Sequence, residues 1–182
     1  MPFELYHFNN ADRVIHDKKM TKALMETLDY VESVLFRSFY RGSMLRSALE
    51  DMGWREGDNL QIIEGRRYRF KGFLSRMAIE ANLYVYEYLW EGLFRLQLGF
   101  DHGNLDCGVL LLTSQRSGKS PLGSSAQILA QEIDSLFPTI SLPVSVALYD
   151  LGVPRHSDED HAQNMESSPA TINPETTREV AA

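Results

Sequence analysis

Residues 67–82, RYRFKGFLSRMAIEAN, decide how this chain folds. Their pattern predicts two short β-strands, residues 68–74 and 77–81, joined by a tight turn at Ser75 and Arg76. Glu80 stands near the end of the second strand, and Asn82 follows two residues later. Because carboxylate oxygens bind hard divalent cations, the end of this strand is a candidate metal site.

Strands and helices alternate on both sides of this hairpin. Apolar residues recur every three to four positions in four segments that we predict to be helices, at residues 20–35, 41–52, 84–98 and 124–137. Four further strands are predicted, at Phe3–Phe8, 60–63, 107–112 and Val144–Tyr149. We predict a turn at residues 9–12. This order predicts an α/β fold, with a mixed central β-sheet flanked by helices.

The length and composition are those of one folded domain with a tail. The chain has 182 residues, of which 43% are hydrophobic, enough to fill a core. We predict a single domain over residues 1–153. Residues 154–182 lose the apolar periodicity and are rich in polar and acidic side chains, so we predict a disordered acidic and polar tail there. The formal net charge of −7 does not by itself indicate a nucleic-acid binder.

Several classes of protein are disfavoured. No apolar run approaches the roughly 20 residues that span a bilayer, and the first residues show no secretion signal, so we expect no membrane association. The one cysteine, Cys107, lies in an apolar run, which predicts a buried thiol in a cytoplasmic protein. Lys119 belongs to a Gly-Lys-Ser segment, but Thr113 stands where a phosphate-binding loop requires glycine. We therefore expect no nucleotide cofactor.

A series of short motifs occurs in the same order as in one known family. They are an Asn-x-Ala-Asp segment at residues 9–12, the Glu-Ala-Asn end of the hairpin at 80–82, a helix rich in Leu and Phe at 84–98, a Gly-Val-Leu-Leu-Leu strand at 108–112, a Gly-Ser-Ser turn at 123–125 and a Pro-Val-x-Val-x-Leu strand at 143–148. Through them the chain resembles the restriction-endonuclease-like PD-(D/E)xK nucleases, and among these the BglII/BstYI type. The resemblance covers roughly residues 3–150 and implies a restriction-endonuclease-like fold.

The resemblance implies a homodimer that hydrolyses duplex DNA with Mg²⁺. It implies that Glu80 is a metal ligand and that Asn82 occupies the position whose side chain positions the attacking water. The family has an aspartate nine residues before this glutamate, and here that position is Lys71. A lysine repels a divalent cation, so the motif is degenerate and the second metal ligand is not identified.

Two glutamates on the next helix are candidates for that second ligand. Glu87 and Glu91 lie one helical turn apart. The alternative is that both belong to a solvated face, on which Glu91 pairs with Arg95 at i,i+4 spacing.

Four basic residues are candidates for contacts with DNA phosphates: Arg67, Arg69, Arg116 and Lys119. Three hypotheses follow. An active Mg²⁺-dependent endodeoxyribonuclease predicts further carboxylates around Glu80. A catalytically inactive relative, which binds DNA or a protein partner, predicts that the Lys71 ammonium lies beside Glu80, with no acid cluster. A Glu80 side chain that points into the core, away from Lys71 and Asn82, would contradict both of these hypotheses. An interaction protein unrelated to DNA predicts no basic face around Arg67, Arg69 and Lys119.

Overall fold

The computed structural model describes residues 3–56, 60–115 and 125–154. Its centre is a five-stranded sheet of order β1-β5-β4-β3-β2. The strands are β1 Phe3–Phe8, β2 Gly72–Leu74, β3 Met77–Asn82, β4 Cys107–Thr113 and β5 Val144–Tyr149. The three inner strands are parallel, whereas β1 and β2 pair antiparallel at the two edges. This arrangement confirms the predicted α/β fold with a mixed sheet.

Helices cover both faces of the sheet. They are α1 Ala11–Asp17, α2 Thr21–Leu35, α3 Arg41–Asp51, α4 Leu89–Asp101 and α5 Ser125–Ser135, with a 3₁₀ turn at Tyr86–Tyr88. Successive side chains of a strand point to opposite faces. Ile79 of β3 therefore packs with the core of α1, α2 and α3, whereas Ala78 packs with the core of α4 and α5. Glu80 shares the parity of Ala78 and points towards α4.

The hairpin that joins β2 to β3 is held from outside the sheet. Ser75 and Arg76 have φ of 50° and 60°, as in a tight primed turn, although neither is glycine. The Arg76 guanidinium donates to both carboxylate oxygens of Asp106, and Lys18 Nζ lies 2.6 Å from the same carboxylate. These contacts compensate the unfavourable left-handed backbone conformation of Ser75 and Arg76, and they orient β3.

Three predicted elements differ from the structure. Residues 60–63 form no strand and contribute only an isolated bridge between Gln61 and Arg69. The strand predicted at 68–74 is reduced to Gly72–Leu74. Before it, the Lys71 amide still donates to the Ile79 carbonyl of β3, whereas residues 68–70 pair only with the short segment 60–62. Of the turn predicted at 9–12, Asn9 and Asn10 do form a turn, in the left-handed conformation that asparagine tolerates, whereas Ala11 and Asp12 begin α1, a helix that the sequence pattern did not predict.

Within the described ranges, no helix is long and apolar enough to cross a membrane. Residues 155–182, which include almost all of the predicted tail, lie outside those ranges.

Candidate functional site

The Glu80 carboxylate lies inside the protein and both of its oxygens are engaged. Glu80 is 0% exposed. Arg95, from α4, donates from Nε to Oε1 at 2.9 Å, and the Tyr88 hydroxyl donates to Oε2 at 3.1 Å. Arg95 also donates from Nη2 to the carbonyl oxygen of Arg69 at 2.7 Å. The carboxylate is therefore closed off by the helix that follows β3.

The electrostatics of this cluster follow from burial and from the ion pair. Burial raises the pKa of Glu80, and Arg95, Tyr88 and Lys71 oppose that rise. Burial alone would lower the pKa of Arg95, but the negative charge and the hydrogen bond of Glu80, together with smaller contributions from Tyr88 and Glu91, outweigh it and the pKa is raised. Burial and the nearby carboxylate also raise the pKa of Tyr88, so its hydroxyl remains protonated and available as a donor.

These residues do not fit a Mg²⁺ site. A hard divalent cation needs several free oxygen ligands, whereas both Glu80 oxygens already accept hydrogen bonds and one faces a guanidinium. In the part of the chain that the structure describes, no group of three or more His, Cys, Asp or Glu side chains is placed to hold a metal ion. Glu87 and Glu91 are exposed, in contrast to Glu80.

The ion pairs differ from both of those considered from the sequence. The first expectation was an ion pair between Arg95 and Glu91 on an exposed face of the helix. Arg95 pairs instead with the buried Glu80. The second expectation was an ion pair between Lys71 and Glu80. Among described residues, the ion-pair partner within 4 Å of Glu80 is instead Arg95. Lys71 acts on Glu80 only as the weakest of the influences that lower its pKa. Sequence reasoning missed Arg95 and Tyr88 as partners of Glu80, because their spacing from it reveals nothing until α4 is placed on the sheet.

Asn82 ends β3 and shapes the turn that follows. Its Oδ1 accepts hydrogen bonds from the backbone amides of Tyr84 and Val85, each at 3.0 Å. An asparagine side chain that caps the next residues in this way is a common turn device. The role in positioning water remains a prediction, and the bonds in the structure give Asn82 a structural role.

A basic groove of about 420 Å³ opens beside the end of β3. We define this basic groove by its thirteen lining residues, which come from α3, from Arg55, from residues 69–71 and from residues 81–84. Five of its lining side chains are basic, namely Arg41, Arg46, Arg55, Arg69 and Lys71. No acidic residue is among its described lining. The groove thus presents a concentrated positive surface on a chain of negative net charge.

Three of the predicted site residues meet in the basic groove, and others do not. Arg69 and Lys71 are exposed and line it, and so does the half-buried Asn82. Arg67 is exposed but does not line it. Arg116 and Lys119 fall outside the described residues.

Arg41 is the lining residue with the most unusual surroundings. It is 7% exposed, and its Nη1 and Nη2 donate to the carbonyl oxygens of Leu83 and Gly152 at 3.0 and 2.7 Å. Its Nε has no hydrogen-bond partner, and no described carboxylate lies within ion-pair distance. Arg41 precedes Leu45 by four residues and so continues the buried stripe of α3, a signal that sequence reasoning overlooked.

Sequence comparison finds no match, whereas comparison of structures finds proteins of similar fold. No protein-family model and no curated protein matches the chain. The crystal structure of restriction endonuclease BglII complexed with a DNA 16-mer is similar, with a TM-score of 0.55, 14% identity, and coverage of 82% of this chain and 76% of that one. The fold is restriction-endonuclease-like. Free BglII is also similar, with a TM-score of 0.50, 16% identity, and coverage of 82% and 80%. The predicted resemblance is therefore confirmed for the fold.

Proposed function

We propose that this chain binds duplex DNA on a nuclease scaffold without hydrolysing it by a metal-dependent reaction. The observation that carries the proposal is the charge of the basic groove at the end of β3, where a nuclease of this fold is expected to gather carboxylates. Five basic side chains line the groove, and Glu80, the one candidate ligand on the strand, is turned into the core.

The proposed lack of hydrolysis follows from the position of Arg95. Metal-assisted hydrolysis requires a cation beside the scissile phosphate, held by oxygen ligands that are open to it. For Glu80 to serve as such a ligand, Arg95 would have to leave a buried carboxylate and give up its bond to the Arg69 carbonyl. Lys71, at the position of the expected aspartate, adds a further positive charge.

The proposed binding of DNA rests on phosphate contacts. A positive groove binds the backbone because it releases the counterions that surround duplex DNA, whatever the sequence. The likeness to BglII supports duplex DNA as the partner, since that protein was solved with a DNA 16-mer. A protein with no relation to DNA would not be expected to carry such a face around Arg69.

Fluorescence anisotropy with a labelled duplex of random sequence tests this proposal. We expect binding that weakens steeply with salt and that is no tighter in Mg²⁺ than in EDTA, because Mg²⁺ competes with the basic side chains for the phosphates. The logarithm of the association constant should fall by about 0.9 per phosphate contact for each unit of log salt. A protein that fails to bind the duplex even at low salt would refute DNA binding.

The fold by itself favours one other candidate function, Mg²⁺-dependent cleavage of duplex DNA. That function requires the Glu80 carboxylate to exchange Arg95 for a cation when DNA binds. It predicts tighter DNA binding in Mg²⁺ than in EDTA, and the same titration separates the two functions.

A further inference from the structure

We propose that the basic groove holds one phosphate group at a defined site between Arg41 and Lys71, and that the backbone of the bound duplex supplies it. The inference rests on the proposed DNA binding, which it refines from a charged face to a particular site. Three independent features of the basic groove support it.

The first feature is the charge of Arg41, which is balanced only in part, by the ring of Tyr84 whose centre lies 5.7 Å from the guanidinium carbon. Its guanidinium is more than nine-tenths buried, donates two hydrogen bonds to neutral carbonyls and has no carboxylate partner among described residues. One of its donors, Nε, is left without an acceptor. A buried charge without a counterion is costly, and buried donors are normally satisfied. An anion in the groove would compensate that charge.

The second feature is the start of α3. Arg41 and Gly42 begin this helix of 11 residues and both line the groove. The first amides of a helix have no partner within it, and here the preceding Tyr40 supplies no side-chain cap. The first turn also contains no acidic residue. The partial positive charge of a helix N-terminus therefore adds to that of Arg41 at the same place.

The third feature is that two of the other cations are uncommitted. Arg46 and Arg55 both pair with Glu50, so part of their charge is already balanced. The side chains of Arg69 and Lys71 are exposed and make no ion pair with any described residue. They can turn to a phosphate at little cost, whereas Arg41 is already fixed by its two carbonyl partners. The site thus combines a rigid cation with two adaptable ones.

The size of the groove agrees with this ligand. Its volume of about 420 Å³ is far larger than that of one water molecule and accommodates a phosphate with part of the attached sugars. A double substitution, Arg69→Gln with Lys71→Gln, removes both adaptable cations and leaves Arg41 and its structural bonds in place. The matched control is Lys19→Gln with Lys22→Gln, which removes two exposed charges from a different surface.

The test compares duplex binding by the full chain and both variants across a range of salt concentrations. We expect the groove variant to bind at least about fivefold more weakly at low salt and its salt slope to be smaller by about 2. The control variant should stay close to the wild type. Equal binding by wild type, groove variant and control variant would refute the phosphate site while leaving DNA binding intact.

Thermal unfolding in inorganic phosphate, against sodium chloride of equal ionic strength, provides the second readout. A phosphate-specific rise in melting temperature in the wild type and the control, but not in the groove variant, would support the site even if no duplex binds. In that case the DNA proposal and the duplex as the source of the phosphate would be wrong, while the phosphate site itself would stand. If no duplex binds and phosphate stabilises all three proteins equally or none of them, the phosphate site is refuted as well.

Discussion

Replacement of Arg95 by methionine probes the ion pair that closes the Glu80 carboxylate. The substitution removes the guanidinium and keeps a flexible side chain on α4. Glu80 is completely buried and the Arg95 side chain is 21% exposed, with 2.9 Å between Nε and Oε1. Breaking a buried ion pair costs about 3–5 kcal/mol, and breaking an exposed one about 0.2–1 kcal/mol. Because Arg95 retains some contact with water, we expect the free energy of unfolding to fall by about 2–4 kcal/mol at neutral pH.

The loss should also depend on pH. Without Arg95, burial raises the pKa of Glu80 further, and only Tyr88 and Lys71 oppose it. A carboxyl whose pKa is raised on folding contributes stability below its ordinary pKa and loses it as pH rises through the folded value. The destabilisation by Arg95→Met should therefore increase as pH rises from the already raised pKa of Glu80 in the wild type to its higher pKa in the variant, by at most about 1.4 kcal/mol per pH unit.

Urea unfolding followed by circular dichroism, across that pH range, measures both effects. Arg46→Met is the matched control, because Arg46 Nε also lies 2.9 Å from a glutamate oxygen but the side chains of Arg46 and Glu50 are 68% and 45% exposed. We expect the control to lose much less stability than Arg95→Met, because water screens an exposed ion pair. Adding Glu80→Gln to Arg95→Met should recover part of the loss and abolish its pH dependence. Equal losses in Arg95→Met and Arg46→Met, or a loss independent of pH, would refute the buried ion pair.

Three further predictions concern other parts of the fold. Gly99→Ala should destabilise the protein by about 1–3 kcal/mol, since an added Cβ would lie 2.6 Å from Cζ of the buried Phe70 ring; unchanged stability in thermal unfolding would contradict the packing of α4. The hydrogen bond from Arg76 lowers the pKa of Asp106, so the stability that Asp106 contributes near neutrality should vanish as pH falls below its ordinary pKa, and Asp106→Asn should remove this dependence. Burial raises the pKa of Cys107 to about 12, so a thiol reagent at mildly basic pH should label it only after unfolding; rapid labelling of the folded protein would show that β4 is exposed.

The sequence predicts correctly those helices and strands whose apolar pattern reflects their own contacts with the hydrophobic core. The apolar run around Cys107 is buried on both faces, as expected, and the edge strand Phe3–Phe8 occurs at its predicted residues. The strand expected at residues 60–63 is absent because strand formation depends on a neighbouring strand, which a segment of four residues, three of them apolar, does not specify. The start of α1 was missed because its left-handed asparagines resemble those of a turn.

The chemistry of the candidate site was less accessible from the sequence. Glu80 was found because its place at the end of a strand is local information. Its partner Arg95 was not found, because only the packing of α4 on the sheet brings the two together. The role of Arg41 was missed for a related reason: an arginine on the buried stripe of a helix is unremarkable until its lack of a counterion is seen in three dimensions. The resemblance through short motifs indicated the fold correctly. The arrangement of charges at the candidate site became known only from the structure.

The most direct measurement of the central claim is a plasmid-nicking assay with wild type beside Glu80→Gln, in Mg²⁺ and in Mn²⁺. Duplex retention should be measured in the same samples. We predict that both proteins retain DNA and that neither nicks it beyond the background of a protein-free control. Metal-dependent nicking by the wild type that disappears in Glu80→Gln would contradict the account, because it would show that the Glu80 carboxylate exchanges Arg95 for a catalytic cation.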